Sequence, residues 1–193
     1  MNLISDCRPK GLLAAMGLVL VLLGCAGDGS RTLVTHVSQE PLFSPGLMHW
    51  IASSPQGLVM RVAAADGDAR WADEAAAALE DIAWMPFDAL TIDRSGPHDP
   101  VFHLALVVHA PSTVPADGAC SGDMTPIAGH GVVVIALCHG GRAIARARAT
   151  AAAPLVPGSS SFHAAVRAAA IAAFPRRDPD EPDFDPIILP PVF

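Results

Sequence analysis

Apolar and polar positions alternate most cleanly from Val101 to His109. Phe102, Leu104, Leu106 and Val108 fall on one side, and Val101, His103, Ala105, Val107 and His109 on the other. This is the period of a β-strand, and the first set is the expected core face. A looser alternation from Gly57 to Ala64, bounded by turn residues, predicts an earlier strand that ends in the turn Asp66-Gly67-Asp68. Over residues 69 to 82 the period changes. Trp71, Ala75, Ala78, Leu79 and Ile82 recur at helical spacing, so a helix with one buried stripe is expected, capped by Asp68 and ended before Pro86. Asp93 to Pro100 reads as a loop.

After a Pro-, Ser- and Gly-rich loop from Ala110 to Gly131, the apolar run Val132 to Leu137 and the stretch Arg142 to Thr150 flank Gly140-Gly141, the pattern of a hairpin. Strict alternation in the return strand puts Ala143, Ala145, Ala147 and Ala149 on one face, open to close approach by a helix, and Arg142, Ile144, Arg146 and Arg148 on the other. Ser159-Ser160-Ser161 supplies a cap for a last helix that buries Phe162, Val166, Ala169 and Ala173 and is stopped by Pro175. The order strand, helix, strand, strand, strand, helix implies an α+β (or α/β) domain over residues 57–175. Its expected form is a small mixed sheet of about four strands with two helices on one face. Upstream, residues 25–56 read as a tether in their first half, while Leu42, Phe43, Met48, Trp50 and Ile51 pack on the domain edge. Core packing is the ordinary reading of Met48 and Trp50, ahead of a ligand-stacking patch. Residues 176–193 hold five acids and five prolines, an acidic tail without regular structure, and finish in the apolar stretch Pro186 to Phe193.

Charge then narrows the function. The 193 residues carry net −7 with pI near 5.5, which fits one domain and argues against attraction to a nucleic-acid backbone. Although 51% of residues are hydrophobic, alanine dominates that fraction, and past the amino terminus no run approaches the roughly 20 apolar residues of a membrane span.

The amino terminus is the most informative segment. Arg8 and Lys10 precede an apolar run from Gly11 to Leu23, which suits the core of a signal peptide and is short for a bilayer span. The run closes in Leu22-Leu23-Gly24-Cys25. This resembles the lipobox of bacterial lipoprotein precursors. The resemblance covers the first 25 residues and implies removal of residues 1–24 by signal peptidase II, with diacylglycerol and further acyl chains such as palmitate on Cys25. The bilayer then becomes a partner through those chains, since two or three of them anchor stably where one does not. Loss of Asp6, Arg8 and Lys10 with the leader makes the remaining chain net −8. Ala26 is not the Asp that retains such proteins at the inner membrane, so the resemblance implies the outer membrane, on its periplasmic side. In element order the body is loosely similar to small uncharacterised or assembly-type envelope lipoproteins over about residues 57–175.

Of four cysteines, Cys7 would leave with the leader and Cys25 would be acylated. Cys120 and Cys138 remain, and in an oxidising periplasm the pair reads as a disulfide, with redox or metal chemistry as the alternatives. The eight histidines are scattered at 36, 49, 98, 103, 109, 130, 139 and 163. His103 and His109 share a strand face but stand roughly 20 Å apart, too far for one ion, so neither metal nor cofactor is expected. Ser159 to Ser161 lack a Gly-x-Ser-x-Gly context and read as a cap, while Asp66, Asp68, Asp73 and Glu74 read as turn and first-turn residues. No catalytic residue is assigned. Arg142, Arg146 and Arg148 stand out in an acidic domain: they could meet anionic headgroups or an acidic envelope protein, or be a solvated face paired with the tail. The expected function is a non-enzymatic envelope binding or scaffolding domain acting through a sheet edge, the Arg face or the tail. The rival is a membrane-tethered ligand-binding or hydrolytic domain.

Overall fold

The alternating stretch forms β4 (Phe102–Val108), an inner strand of a mixed sheet, in a computed structural model that describes residues 31–93 and 101–176. The segment expected to be a leader, Cys25 and the acidic stretch beyond Arg176 lie outside the described residues. The sheet is six-stranded. Its order is β1 (Thr32–Gln39), β6 (Arg142–Ala151), β5 (Val132–His139), β4, β2 (Leu58–Ala63) and β3 (Leu90–Ile92). β2 is parallel to both β3 and β4, and the other neighbours are antiparallel. Helix α2 (Arg70–Glu80) makes the crossover from β2 to β3, and α4 (Ser160–Ala173) follows β6. The shorter helices are α1 (Pro45–Ala52) and α3 (Gly118–Ser121).

The sheet therefore exceeds the expected four strands by β1 and β3. Both gave weak patterns for physical reasons. β1 lies at the sheet edge and is only partly covered, so its apolar residues show no clean alternation, and β3 has 3 residues, too few to establish a period. The stretch read as tether and edge packing thus supplies an edge strand and α1. Met48 and Ile51 of that helix are fully or nearly fully buried, while Trp50 is 63% exposed, so the two expected core residues separate.

One face of the sheet meets the helices. Leu104, Leu106 and Val108 of β4, Val133, Ile135 and Leu137 of β5, and the α2 stripe of Trp71, Ala75, Ala78 and Leu79 join Phe162, Val166, Ala169 and Ala173 of α4 in the main core. Asp68 accepts a hydrogen bond from the first helical N–H, that of Arg70, at 2.9 Å. Ser159 caps α4 by accepting from the Phe162 N–H at 3.2 Å.

The β5–β6 hairpin turns at Gly140, whose φ of +59° favours glycine. Its register then shifts: Leu137 faces Ala145, but Cys138 faces Ala143, leaving Ile144 as an extra residue. The Ile144 carbonyl accepts from the Glu40 N–H at 2.8 Å. This bulge corrects the strict alternation expected for the strand, because one added residue reverses facing. Ala145, Ala147 and Ala149 line the helix face, whereas Ala143 packs with Ala105, Ala136 and Cys138 on the opposite face. Arg142 is separated in the same way from Arg146 and Arg148.

Candidate functional site

The face away from the helices is covered by the connection between β4 and β5, a segment rich in Pro, Ser and Gly. Three devices fasten it. A small cluster packs the segment's own Ala110, Ala116 and Met124 against Val107 of β4 and Val132 and Val134 of β5. The Cys120–Cys138 disulfide, with Cα atoms 5.5 Å apart, joins α3 to β5. The third device is two arginines of β6.

Arg146 donates from Nη1 to Asp117 Oδ1. Arg148 is only 6% exposed and donates to three main-chain oxygens of the loop: Ser112 from Nη1 at 2.7 Å, and Pro111, at 3.3 Å, and Val114 from Nη2. Desolvation holds the Arg148 guanidinium below its ordinary pKa, although such a group stays cationic near neutrality. Its Nε is buried with no hydrogen-bond partner. Arg142, on the other side of the bulge, places Nε and Nη2 on Glu40 Oε1 at 3.0 and 2.9 Å. The three arginines singled out by the sequence are therefore not one row. Arg142 is an exposed ion pair, Arg146 an ion pair to the loop, and Arg148 a buried loop clamp.

Beside Arg146 and Arg148 the edge strand breaks its own regularity. The β1–β6 register shifts between Thr35 and Ser38, and His36 adopts φ of +54°, a left-handed conformation uncommon for a residue with a Cβ. The displaced backbone and the loop at Ser112 to Ala116 enclose a cleft of about 410 Å³, with Arg146 and Arg148 on its wall. Both sheet edges are blunted against addition of another strand, β1 by this bulge and β3 by its 3-residue length.

The remaining candidates disperse. His103 is buried in β4 directly across from Cys138 and lines a second cleft, about 380 Å³, with Arg61 and Cys120. Arg61 is bonded to Asp93 at 3.1 Å. His109 does not share the His103 face, which corrects the strand-based expectation. It follows the end of β4 with φ of +61°, and its ring lies 5.2 Å from that of Trp71, a main-core residue. His163 meets Glu74 at 2.8 Å, and His139 stacks on Phe102 at 4.7 Å. His98 lies outside the described residues, and no group of three or more His, Cys, Asp or Glu positioned for a metal occurs among the described residues.

Ser159 and Ser161 serve the start of α4: Ser161 Oγ donates to the Pro154 carbonyl at 3.1 Å. Asp66 accepts from the Asp68 N–H at 3.1 Å and from Trp71 Nε1 at 2.8 Å, and these bonds, the first above all, lower its carboxyl pKa. The neighbouring Asp68 carboxyl is lowered mainly by the side chain of Arg70. Trp50 stands edge-on to Phe102 at 6.0 Å over an open apolar hollow.

Sequence reasoning missed His36, Asp117 and the carbonyls of Pro111, Ser112 and Val114. A bulge in an edge strand has no periodic signature, and main-chain acceptors are the same in every residue type. With this geometry in hand, no protein-family model, no curated protein and no solved structure matches the chain, so its functional reading rests on its own residues.

Proposed function

We propose that this chain is a bacterial envelope lipoprotein, fastened to the outer membrane by acyl chains on Cys25 and facing the periplasm, whose domain binds another envelope component without catalysing a reaction. The observation that carries the reading is the Cys120–Cys138 disulfide, because such a bond persists in oxidising compartments and agrees with the export leader that ends at the lipobox. Two further features favour binding over catalysis. The histidines described above are divided among a contact with a carboxylate, ring stacking and separate clefts. The cationic groups of β6, by contrast, border an open cleft.

Blunted sheet edges shift the binding reading away from strand addition and toward the cleft beside Arg146 and Arg148. Intact-mass measurement and membrane fractionation of the full chain in a bacterial host test the anchor. The expected product begins at Cys25 and is heavier by its acyl groups, while Cys25→Ser accumulates as the unprocessed precursor. A wild-type mass equal to the unmodified 193 residues, or normal processing of Cys25→Ser, overturns the anchoring. In-cell crosslinking tests the binding reading: recurrent capture of one envelope component supports it, and repeated absence of any counts against it.

A further inference from the structure

Five arginines of the domain are each bonded to a carboxylate: Arg61 to Asp93, Arg70 to Asp68, Arg142 to Glu40, Arg146 to Asp117 and Arg167 to Asp81. Arg148 is different. It is the most deeply buried of the arginines bordering the cleft, and its partners are three carbonyl oxygens, which satisfy donors without cancelling the charge. A buried cation without a carboxylate partner among the described residues is costly to hold and attracts an anion to the space beside it. That space is the cleft under the β1 bulge.

The cleft adds groups suited to an oxyanion with several acceptor atoms. Arg146 borders it beside Arg148, His36 lies at the bulge, and Ser38, Ser112 and Thr113 offer hydroxyls around the rim. A carboxylate presents two oxygens, whereas a phosphoryl group presents three or four and can engage more of these donors together. The volume of about 410 Å³ exceeds what a bare ion fills and leaves room for a glycerol-sized substituent. A bulge and a left-handed histidine at this one place are the kind of local distortion that recurs where backbone is reshaped for a ligand.

We propose that the cleft between the β1 bulge and the loop at Ser112 to Ala116 is a binding site for a phosphoryl group, carried either by a lipid headgroup or by a free phosphate compound. This deepens the binding reading above and rests on it for biological meaning, but it is independent of acylation at Cys25.

The test titrates the full chain in neutral detergent with inorganic phosphate and with glycerol 1-phosphate by calorimetry. Flotation with phosphatidylglycerol vesicles follows, using Cys25→Ser so that acyl chains contribute nothing; because the retained amino-terminal segment floats every variant alike, the headgroup signal is the part of the flotation that Arg146→Gln and His36→Gln lose in the same background. Saturable binding of either soluble compound supports a free ligand, and flotation without soluble binding supports a headgroup. In both arms Arg146→Gln and His36→Gln are expected to weaken binding, Arg146→Gln by about tenfold, the loss of one hydrogen bond to a charged group. Arg148→Gln is expected to abolish binding, and if it fails to fold the other two variants still decide. Binding unchanged in Arg146→Gln and His36→Gln overturns the proposal, as does no response to either soluble compound or vesicle. So does binding of an acidic peptide where phosphate fails. A processed, acylated chain that ignores every phosphoryl probe sinks the ligand site and leaves the anchor standing, and the converse result does the reverse.

Discussion

The two faces of this sheet are held by different physics. On the helix side, large side chains such as Trp71, Phe162, Leu104 and Leu137 fill one continuous core against α2 and α4. On the loop side the inward residues are smaller, Ala105, Ala136 and Ala143 in one cluster and Val107 and Val134 in another, and the cover is a connecting segment that adds Ala110, Ala116 and Met124. Burial can supply much of the stability on the first face, whereas the second relies on a covalent bond, an ion pair and a buried guanidinium. A face held by a few discrete links can carry a polar cleft at its margin; a packed apolar face has no room for one.

This contrast can be broken from either side. Phe162→Ala should remove the centre of the helix-side core at a cost of about 3–5 kcal/mol, read as a lowered midpoint in urea unfolding followed by circular dichroism. Opening the disulfide with Cys120→Ser and Cys138→Ala should cost roughly 3 kcal/mol for a cross-link spanning 18 residues. Hydrogen exchange should place that loss in the 110–131 connection, with the amides of the β2–β4 ladder still protected. Equal loss of protection on both faces would contradict the division. Arg148→Met should cost about 1–3 kcal/mol, because three loop carbonyls lose their donor, with increased proteolytic nicking between 111 and 117 as the local readout.

On the helix side again, Ser159→Ala should cost about 1 kcal/mol of thermal stability through loss of the α4 cap. The smallest effect concerns pH. The Asp66 carboxyl is lowered in the folded state, so its contribution is present above the ordinary carboxylate pKa and is lost as pH falls through the lower folded value. Asp66→Asn should therefore lower the neutral plateau of melting temperature slightly and flatten the acid limb, the variant and the wild type converging at low pH. A limb as steep as in the wild type would show that Asp66 contributes nothing to it.

The helix side was far more legible than the loop side. The spacing of Trp71, Ala75, Ala78 and Leu79 and of Phe162, Val166 and Ala169 announces both helices, and β4 alternates as its burial requires. The candidate site was legible only in its residue types. Arg146 and Arg148 drew attention as positive charge in an acidic domain, but their separation from Arg142 depends on the extra residue at Ile144, which shifts facing without changing the local pattern. His109 was placed on the wrong side of the strand for a related reason, a positive φ just past the last ladder pair.

What the chain determined by itself is what local periodicity and covalent chemistry encode: the helix stripes, the main strands, the hairpin glycines and a cysteine pair available for bonding. What only the tertiary structure decided is where the pattern is interrupted. The edge position of β1, the two bulges, the burial of Arg148 and the cleft beside it arise from contacts between segments far apart in sequence. Such contacts follow from which strands become neighbours, and no short window of residues specifies that.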